Sequence, residues 1–206
     1  MTDLDALLSR DGLAPRLRIL AVATSAIARG DWALLTAAVR AARAPAHGAT
    51  RGDLEETLLQ GVLFFGFPRC VSAFEVLGRD WPCATAPSGG ALPEDEQAAA
   101  GRTLFDAIYD RNAPAVHALL RGFHTEFHDF VLEAAYGRVL SRPGLPPRER
   151  ELIAVTALAA LDQVPQLIAH GRGARRFGAE ADEVREALVT ALGDDPAVAE
   201  HLRRIG

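Results

Sequence analysis

Apolar residues recur at helical spacing along most of the chain. The clearest stripe consists of Val116, Leu119, Leu120, Phe123, Phe127, Phe130, Val131 and Ala134. Intervals of three and four residues place side chains on one face of an α-helix. The pattern therefore predicts one continuous helix through 116–134, which Gly122 kinks without ending.

The same periodicity, together with capping and turn residues, divides the rest of the chain into helices. Thr50 and Asp53 resemble a capping box, and Gly66-Phe67-Pro68 ends the helix that follows. Ala and Leu are abundant while Val, Ile and Thr are few, which favours helices over strands. The predicted fold class is all-α. Helices are expected at 2–8, 15–29, 31–44, 50–65, 68–78, 146–161, 163–177, 180–192 and 195–204, and another begins at 94.

Two parts of the chain match each other in sequence. Leu13-Ala-Pro-Arg-Leu-Arg, followed by Thr24, corresponds to Leu145-Pro-Pro-Arg-Glu-Arg, followed by Thr156. A duplicated helical unit explains the shared order and length. The predicted division is a degenerate first copy at 1–79, a Pro- and Gly-rich linker at 80–93 and a second copy at 94–206.

The copies differ at polar positions. Glu151 and His170 of the second copy match Ile19 and Ala38 of the first. Neither an isoleucine nor an alanine side chain can move a proton. The sequence therefore predicts one acid/base site per chain.

Composition excludes several classes of protein. The 206 residues carry a net charge of −5, and all 22 basic residues are arginine, with no basic and aromatic run of the kind that binds nucleic acid. Two cysteines cannot form a disulfide framework, and the N-terminus, with Asp3 and Asp5, does not resemble a signal peptide. No apolar run approaches the roughly 18 residues of a membrane helix. We expect a soluble, cytoplasmic protein that binds neither nucleic acid nor membrane.

A row of polar side chains marks a candidate site. Gln163, Gln166 and His170 lie three and four residues apart, and Glu151 precedes His170 by nineteen residues on the preceding helix. A histidine with a carboxylate partner is suited to proton transfer, although the same pair also serves as a structural link between helices. In a plain antiparallel hairpin the two residues would lie ~4 Å out of register. Crossing helices or pairing across a subunit boundary would close this gap.

Several motifs resemble one known family. They are YGRVLSRPGL at 136–145, RERELI at 148–153, the spacing from Glu151 to His170, and HGRGARRFGA at 170–179. Together they resemble the carboxymuconolactone decarboxylase family, within the wider group of alkylhydroperoxidase D-like proteins. The peroxidase branch of that group carries a Cys-x-x-Cys where this chain has Gln163 and Gln166, so the dithiol is absent.

The resemblance implies a function and an assembly. It implies a carboxy-lyase of the decarboxylase type, without cofactor or metal, that acts on a small carboxylated lactone or a related intermediate of aromatic degradation. It also implies ring assembly, and a duplicated chain then favours a homotrimer with pseudo-sixfold symmetry. The apolar segment 61–67 is consistent with a surface that another subunit covers.

Roles for individual residues follow from the same resemblance. Glu151 and His170 are the expected catalytic residues. Arg148 would either clamp a substrate carboxylate or form a surface ion pair with Glu151. The remaining substrate-binding candidates are Gln163, Gln166, Tyr136 and Arg142, of which the last two are equally plausible as structural residues.

Two other hypotheses stay open. Cys70, near a helix N-terminus, would serve a thiol-based redox or stress protein, or would be a small buried hydrophobe. A non-catalytic helical assembly protein is the second alternative. His124 and His128, with His117 on the same face, have metal-ligand spacing, but Thr125 occupies the place of the glutamate in a helix-borne zinc motif.

Overall fold

The computed structural model describes residues 4–84 and 90–206, and every regular element in those two ranges is helical. The all-α prediction is confirmed. Thr2 and Asp3 of the first predicted helix and residues 85–89 of the predicted linker lie outside the described residues. The helices are α1 (Leu4–Leu8), α2 (Pro15–Arg29), α3 (Trp32–Ala42), α4 (Arg51–Asp80), α5 (Glu94–Tyr109), α6 (Ala113–Phe123), α7 (Thr125–Phe130), α8 (Pro147–Ala160), α9 (Val164–Arg176), α10 (Ala181–Leu192) and α11 (Ala197–Ile205), with a π-helical segment at Val131–Leu140.

The centre of the molecule consists of α2 and α8. Each begins with a proline in its first turn, where the missing N–H leaves no hydrogen bond unmade. Residues 17–28 of α2 and 149–159 of α8 are all buried. Most of them are apolar, and the charged residues among them form ion pairs or hydrogen bonds with other helices. The two helices pack against each other, and α3, α4, α9 and α10 surround them.

Two buried ion pairs tie the halves of the chain together. Arg150 Nη2 on α8 lies 2.7 Å from Glu56 Oε2 on α4, and Arg18 Nη1 on α2 lies 2.8 Å from Glu186 Oε2 on α10. Each arginine thus reaches from one half of the chain into the other. The same type of contact occurs twice, which is consistent with a duplicated unit. Each glutamate also binds a second arginine, Arg142 for Glu56 and Arg10 for Glu186.

Helix α4 bends where the sequence predicts a break. Gly66 has φ 72° and ψ 171°, a conformation suited to glycine, and Pro68 begins the part that continues to Asp80. Within the described residues α4 alone has the length and apolar composition of a membrane span, a test that core helices of soluble proteins also pass. Its first half contains Glu56 and Gln60, which are buried and hydrogen-bonded to Arg150.

The continuous helix predicted through 116–134 is wrong. Helix α6 ends at Phe123, and His124 is extended, with φ −170° and ψ 131°, before α7 begins. This break lets α6 fold back on α7, so that His117 Nδ1 lies 2.9 Å from His128 Nε2. On a straight helix these two residues would be ~16 Å apart along the axis. The apolar stripe therefore covers two short helices and the π-helical segment instead of one long helix.

A second, smaller core joins α5 to the π-helical segment. The two elements approach closely at Gly101 and Gly137, because a Cβ on Gly101 would lie 2.6 Å from the Gly137 nitrogen. This approach packs Phe105 and Ile108 of α5 against Tyr136. The core thus supplies one wall of the candidate site that α9 faces.

Candidate active site

The hairpin of α8 and α9 positions the candidate acid/base pair. Helix α8 ends at Ala160, and Asp162 takes a left-handed conformation with φ 55° that turns the chain. Gln163 then stands at the N-cap of α9, with Pro165 in the first turn. Glu151 and His170 lie on the facing sides of the two helices.

The structure brings these two side chains into direct contact. His170 Nδ1 lies 3.0 Å from Glu151 Oε2, and the residues are 7% and 2% exposed. A carboxylate only accepts hydrogen bonds, so Nδ1 carries the proton and Nε2 is left for a ligand. The crossing of α8 and α9 closes the register gap within one chain, without a subunit boundary.

The environment of His170 favours its charged form. Burial alone would lower the pKa of the imidazole, but the charge of Glu151 and its hydrogen bond outweigh that effect and raise the pKa. A buried imidazolium can therefore persist beside the carboxylate. This is the protonation state that a general acid requires.

Gly173 makes room for the carboxylate. It lies one turn after His170 on α9, and a Cβ at this position would collide with Glu151 Oε2. The position therefore requires a residue without a side chain. Gly173 belongs to the site although it has no chemistry of its own.

A cavity of about 670 Å³ adjoins the pair. His170 lines it and Glu151 does not, which leaves the Nε2 edge of the imidazole as the side facing the cavity. The lining is mainly apolar and aromatic and comes from α4, α5, α6, α7, α9 and the π-helical segment. Such a concave, mostly apolar space with few polar groups is typical of a small-molecule site.

Two tyrosines supply polar groups on the wall across from α9. The hydroxyls of Tyr136 and Tyr109 lie 3.2 Å apart, and both residues line the cavity. Burial raises the pKa of both phenols, and the negative charge of Glu151 adds to the effect. The two phenols are therefore neutral hydrogen-bonding groups, and the charge of Glu151 disfavours their ionisation.

The structure separates the predicted substrate-binding residues into two sets. Tyr136 and Gln166 line the cavity with His170, whereas Gln163 is exposed and donates from Nε2 to the Leu161 carbonyl oxygen. The guanidinium of Arg148 pairs with Glu183 on α10 instead of with Glu151, and Arg148 does not line the cavity of His170. Glu183 caps α10, so this ion pair holds that helix to α8.

Arg142 serves a different part of the molecule. Its Nη2 lies 2.7 Å from Glu56 Oε1, beside the buried pair between Glu56 and Arg150. It lines a separate cavity of about 510 Å³ at the start of α4, which His170 does not line. The geometry therefore gives Arg142 a place in the ion-pair network and not at the acid/base pair.

The sequence interpretation missed Tyr109, Arg172 and Arg176, all of which line the cavity. Tyr109 follows Phe105 by four residues and so shares its buried face, a signal that was present in the sequence. The two arginines lie in the HGRGARRFGA motif, but the sequence does not show which side of α9 faces a cavity.

The alternative sites have less support. Cys70 is buried, and burial raises the pKa of its thiol to about 11, which disfavours the reactive thiolate. His117 and His128 bond each other and the carboxylates of Asp106 and Asp129. Residues 4–84 and 90–206 contain no cluster of three or more His, Cys, Asp or Glu residues arranged to hold a metal ion.

Comparison with known proteins points to one family. The sequence profile of the carboxymuconolactone decarboxylase family matches residues 1–78 and 125–202, two segments consistent with a duplicated unit. A 4-carboxymuconolactone decarboxylase from Acinetobacter baylyi is 36% identical over 70 residues, which is 34% of this chain and 52% of that protein. Peroxisomal protein 2 from Schizosaccharomyces pombe is 28% identical over 143 residues, 68% of this chain and 67% of that protein. The chain thus spans about half the length of the first relative.

Proposed function

The chain belongs to the carboxymuconolactone decarboxylase family, and we propose that it is a cofactor-free, decarboxylase-like enzyme with His170 as the proton donor. Its substrate is a small carboxylated lactone or a related intermediate of aromatic degradation. The observation that carries this proposal is the 3.0 Å hydrogen bond from His170 Nδ1 to Glu151 Oε2 at the wall of an apolar cavity.

The proposed reaction needs one acid and no metal. The bond from carbon to the carboxylate breaks, CO₂ leaves, and the electron pair enters a conjugated carbonyl as an enolate. The His170 imidazolium then gives its Nε2 proton to that carbon and regains a proton from water. One carboxylate and one proton thus become one C–H bond and CO₂. Glu151 accepts the Nδ1 hydrogen bond throughout, which orients the ring and favours its protonated form.

The tyrosine pair supports this chemistry. An enolate oxygen carries developing negative charge and is stabilised by donors that are in place before the reaction. The Tyr136 and Tyr109 hydroxyls are hydrogen-bonded to each other at 3.2 Å, Tyr136 is buried and Tyr109 half-buried, and the raised pKa of each phenol keeps it neutral. We therefore assign Tyr136, together with Gln166, to substrate binding and orientation.

The direct test is release of CO₂ from purified protein. The substrates are 4-carboxymuconolactone, the compound in the name of the Acinetobacter relative, and a panel of other carboxylated lactones. The proposal expects catalysed release from at least one of them, dependent on His170. Release that is unchanged in His170→Ala, or absent for the whole panel, would contradict it. Release that depends on Cys70 instead would favour the thiol alternative.

Assembly with further copies of the chain is part of the same proposal. Phe123, which lines the cavity, is 67% exposed, Phe130 at the end of α7 is 68% exposed, and Phe67 on α4 is 75% exposed. Large exposed aromatic side chains favour a surface that another subunit covers. We expect a homotrimer by light scattering coupled to size exclusion. A mass near the 22.0 kDa of one chain at micromolar concentration would contradict this expectation.

A further inference from the structure

A second cavity, of about 350 Å³, continues the first. Asn112, Arg172 and Arg176 line both cavities, so the two spaces meet at these side chains. The charged residues that line the smaller cavity are all arginines: Arg111, Arg172, Arg175 and Arg176. No carboxylate from the described part of the chain lines either space.

The bonds of these arginines leave most of their donors unused. Arg172 Nη2 donates to the Arg204 carbonyl oxygen at 2.7 Å, and Arg176 Nη1 donates to the Ile108 carbonyl oxygen. The nearest acidic atom to Arg176 is Asp110 Oδ2, 3.8 Å from Nε. A guanidinium has five N–H groups, so these contacts fix the position of each side chain without saturating it. The side chain of Arg111 is exposed and makes no hydrogen bond or ion pair with the described residues.

The positions of the arginines set a distance from the acid/base pair. Arg172 and Arg176 are one turn apart on α9, the helix that carries His170. Arg176 follows His170 by six residues, or ~9 Å along the axis. Arg111 approaches from the turn between α5 and α6. Arg172 follows His170 by only two residues, ~3 Å along the axis, but it leaves the helix about 160° away around it, since each residue turns by about 100°. A group held jointly by Arg111 and Arg176 is thus displaced along α9 from the imidazole, so a different part of the same ligand receives the proton.

We propose that Arg111, Arg172 and Arg176 form an anion subsite at the mouth of the active cavity. The subsite binds an oxyanionic group, a carboxylate or a phosphate, that does not react. The apolar body of the same ligand fills the aromatic cavity and presents its reacting carbon to His170. Guanidinium groups suit this task because they bind planar and tetrahedral oxyanions through paired donors. The inference rests on the proposed function and deepens it, since it uses the same cavity.

Titration calorimetry on the full chain tests the subsite without any turnover. The probes are phenylacetate, phenyl phosphate and phenylacetamide, which share an apolar ring and differ in charge. We expect the anions, or one of them, to bind at least tenfold more tightly than the neutral amide. Binding of phenylacetate alone would identify a carboxylate subsite, and binding of phenyl phosphate alone a phosphate subsite. Equal affinity for the amide, or no anion binding at millimolar concentration, would overturn the proposal.

Three variants locate the binding. Arg111→Met and Arg172→Met should each weaken the preferred anion by roughly tenfold to a hundredfold, the range for one charge-assisted hydrogen bond. Arg102→Met, an exposed arginine on α5 outside both cavities, is the matched control and should bind as the parent does. Arg111 is exposed, so its variant should fold normally, which circular dichroism checks. Unchanged affinity in both Arg111→Met and Arg172→Met would place the anion elsewhere.

His170→Ala separates this inference from the proposed function. The variant should retain the anion affinity, because none of the contacts that hold Arg172 and Arg176 involves His170, while it loses CO₂ release. Anion binding with no CO₂ release from any substrate would leave the subsite standing and refute the decarboxylase proposal. CO₂ release with no anion binding would support the decarboxylase proposal and refute the subsite.

Discussion

The hairpin α2–α3 and the hairpin α8–α9 share their buried ion pairs but differ in the side chains at the positions of the candidate site. Each places a fully buried arginine, Arg18 or Arg150, against a glutamate from the other half of the chain. At the next position along the helix, Ile19 of the first hairpin faces only core, and Glu151 of the second binds His170. What the hairpins share therefore holds the fold together, and what distinguishes them is the candidate chemistry.

The comparison extends to a glycine. Gly173 lies three residues after His170, and the matching position in α3, three residues after Ala38, is Ala41. The first hairpin thus carries a Cβ at this position, whereas a Cβ at Gly173 would collide with the carboxylate of Glu151. The presence of the acid thus dictates a residue on the neighbouring helix. Where the first hairpin has Ile19 and Ala41, the second has Glu151 and Gly173, so the acid and the glycine that makes room for it occur together.

The largest expected effect comes from making the second hairpin resemble the first. His170→Ala installs the residue that Ala38 provides and should lower CO₂ release by at least about 10²-fold, as expected for loss of a general acid. Glu151→Gln should be milder, because the amide keeps a hydrogen bond and loses the charge. Steady-state rates on the best lactone of the panel measure both. His47→Ala, which removes a histidine bonded to the Ala41 carbonyl oxygen outside the cavity, is the control and should retain activity.

The next effect concerns the shared framework and should appear equally in both halves. Arg18→Met and Arg150→Met each remove one of the arginines that bind a buried glutamate, while Arg10 or Arg142 stays bound to it. The loss should therefore lie at or below about 3–5 kcal/mol, the cost of a buried charge left without a partner. Urea unfolding monitored by circular dichroism measures the change in the free energy of unfolding. Similar losses from both variants would support the equivalence of the two hairpins. A loss confined to Arg150→Met would show that the first pair is not the structural counterpart of the second.

A smaller effect is expected from exchanging the glycine and the alanine. Gly173→Ala forces the Glu151 carboxylate to move, so activity should fall about tenfold, with a loss of about 1–3 kcal/mol from overpacking. Ala41→Gly, the reverse change, should lower stability by about 1 kcal/mol through helix propensity alone. It should leave activity unchanged, since α3 does not line the cavity. Full activity in Gly173→Ala would show that the carboxylate can relax without consequence.

Much of the fold and the centre of the site could be predicted from the sequence. Helix periodicity, proline-led starts and the glycine break in α4 depend on local chain physics, and the corresponding helices were found. The contact between Glu151 and His170 required only that two neighbouring helices cross. Whether the pair is catalytic stays a prediction.

The features that sequence could not supply depend on distant partners. Arg148 binds Glu183, thirty-five residues away on α10, because α10 packs against α8. The chain leaves the helical conformation at His124, and this brings His117 and His128 into contact. Sequence spacing alone does not show that contact. The grouping of Arg111, Arg172 and Arg176 likewise depends on which side of α9 faces a cavity.

The last prediction uses pH to compare the hairpins, since the first has alanine where the second has His170. The pKa of His170 is raised in the folded protein above its unfolded value of about 6.5. The stability that the pair contributes is therefore fully present below that unfolded value and is lost as pH rises through the folded pKa. The free energy of unfolding of the parent relative to His170→Ala should fall as pH rises. Unfolding in urea at several pH values measures it, with Gln166→Ala as a control whose difference from the parent does not vary with pH.

Glu151→Gln sharpens this test because it should reverse the pH dependence of the contribution that His170 makes to stability. Removing the carboxylate deletes the two effects that raise the pKa of His170 and leaves burial, which lowers it. In that background the folded pKa falls below the unfolded value, so His170 destabilises the protein as pH drops through the unfolded pKa. The contribution of His170, measured against the double variant Glu151→Gln/His170→Ala, should then increase with pH instead of decreasing. The same slope with and without Glu151 would show that the carboxylate does not set the charge of the imidazole, and the second hairpin would then differ from the first in packing alone.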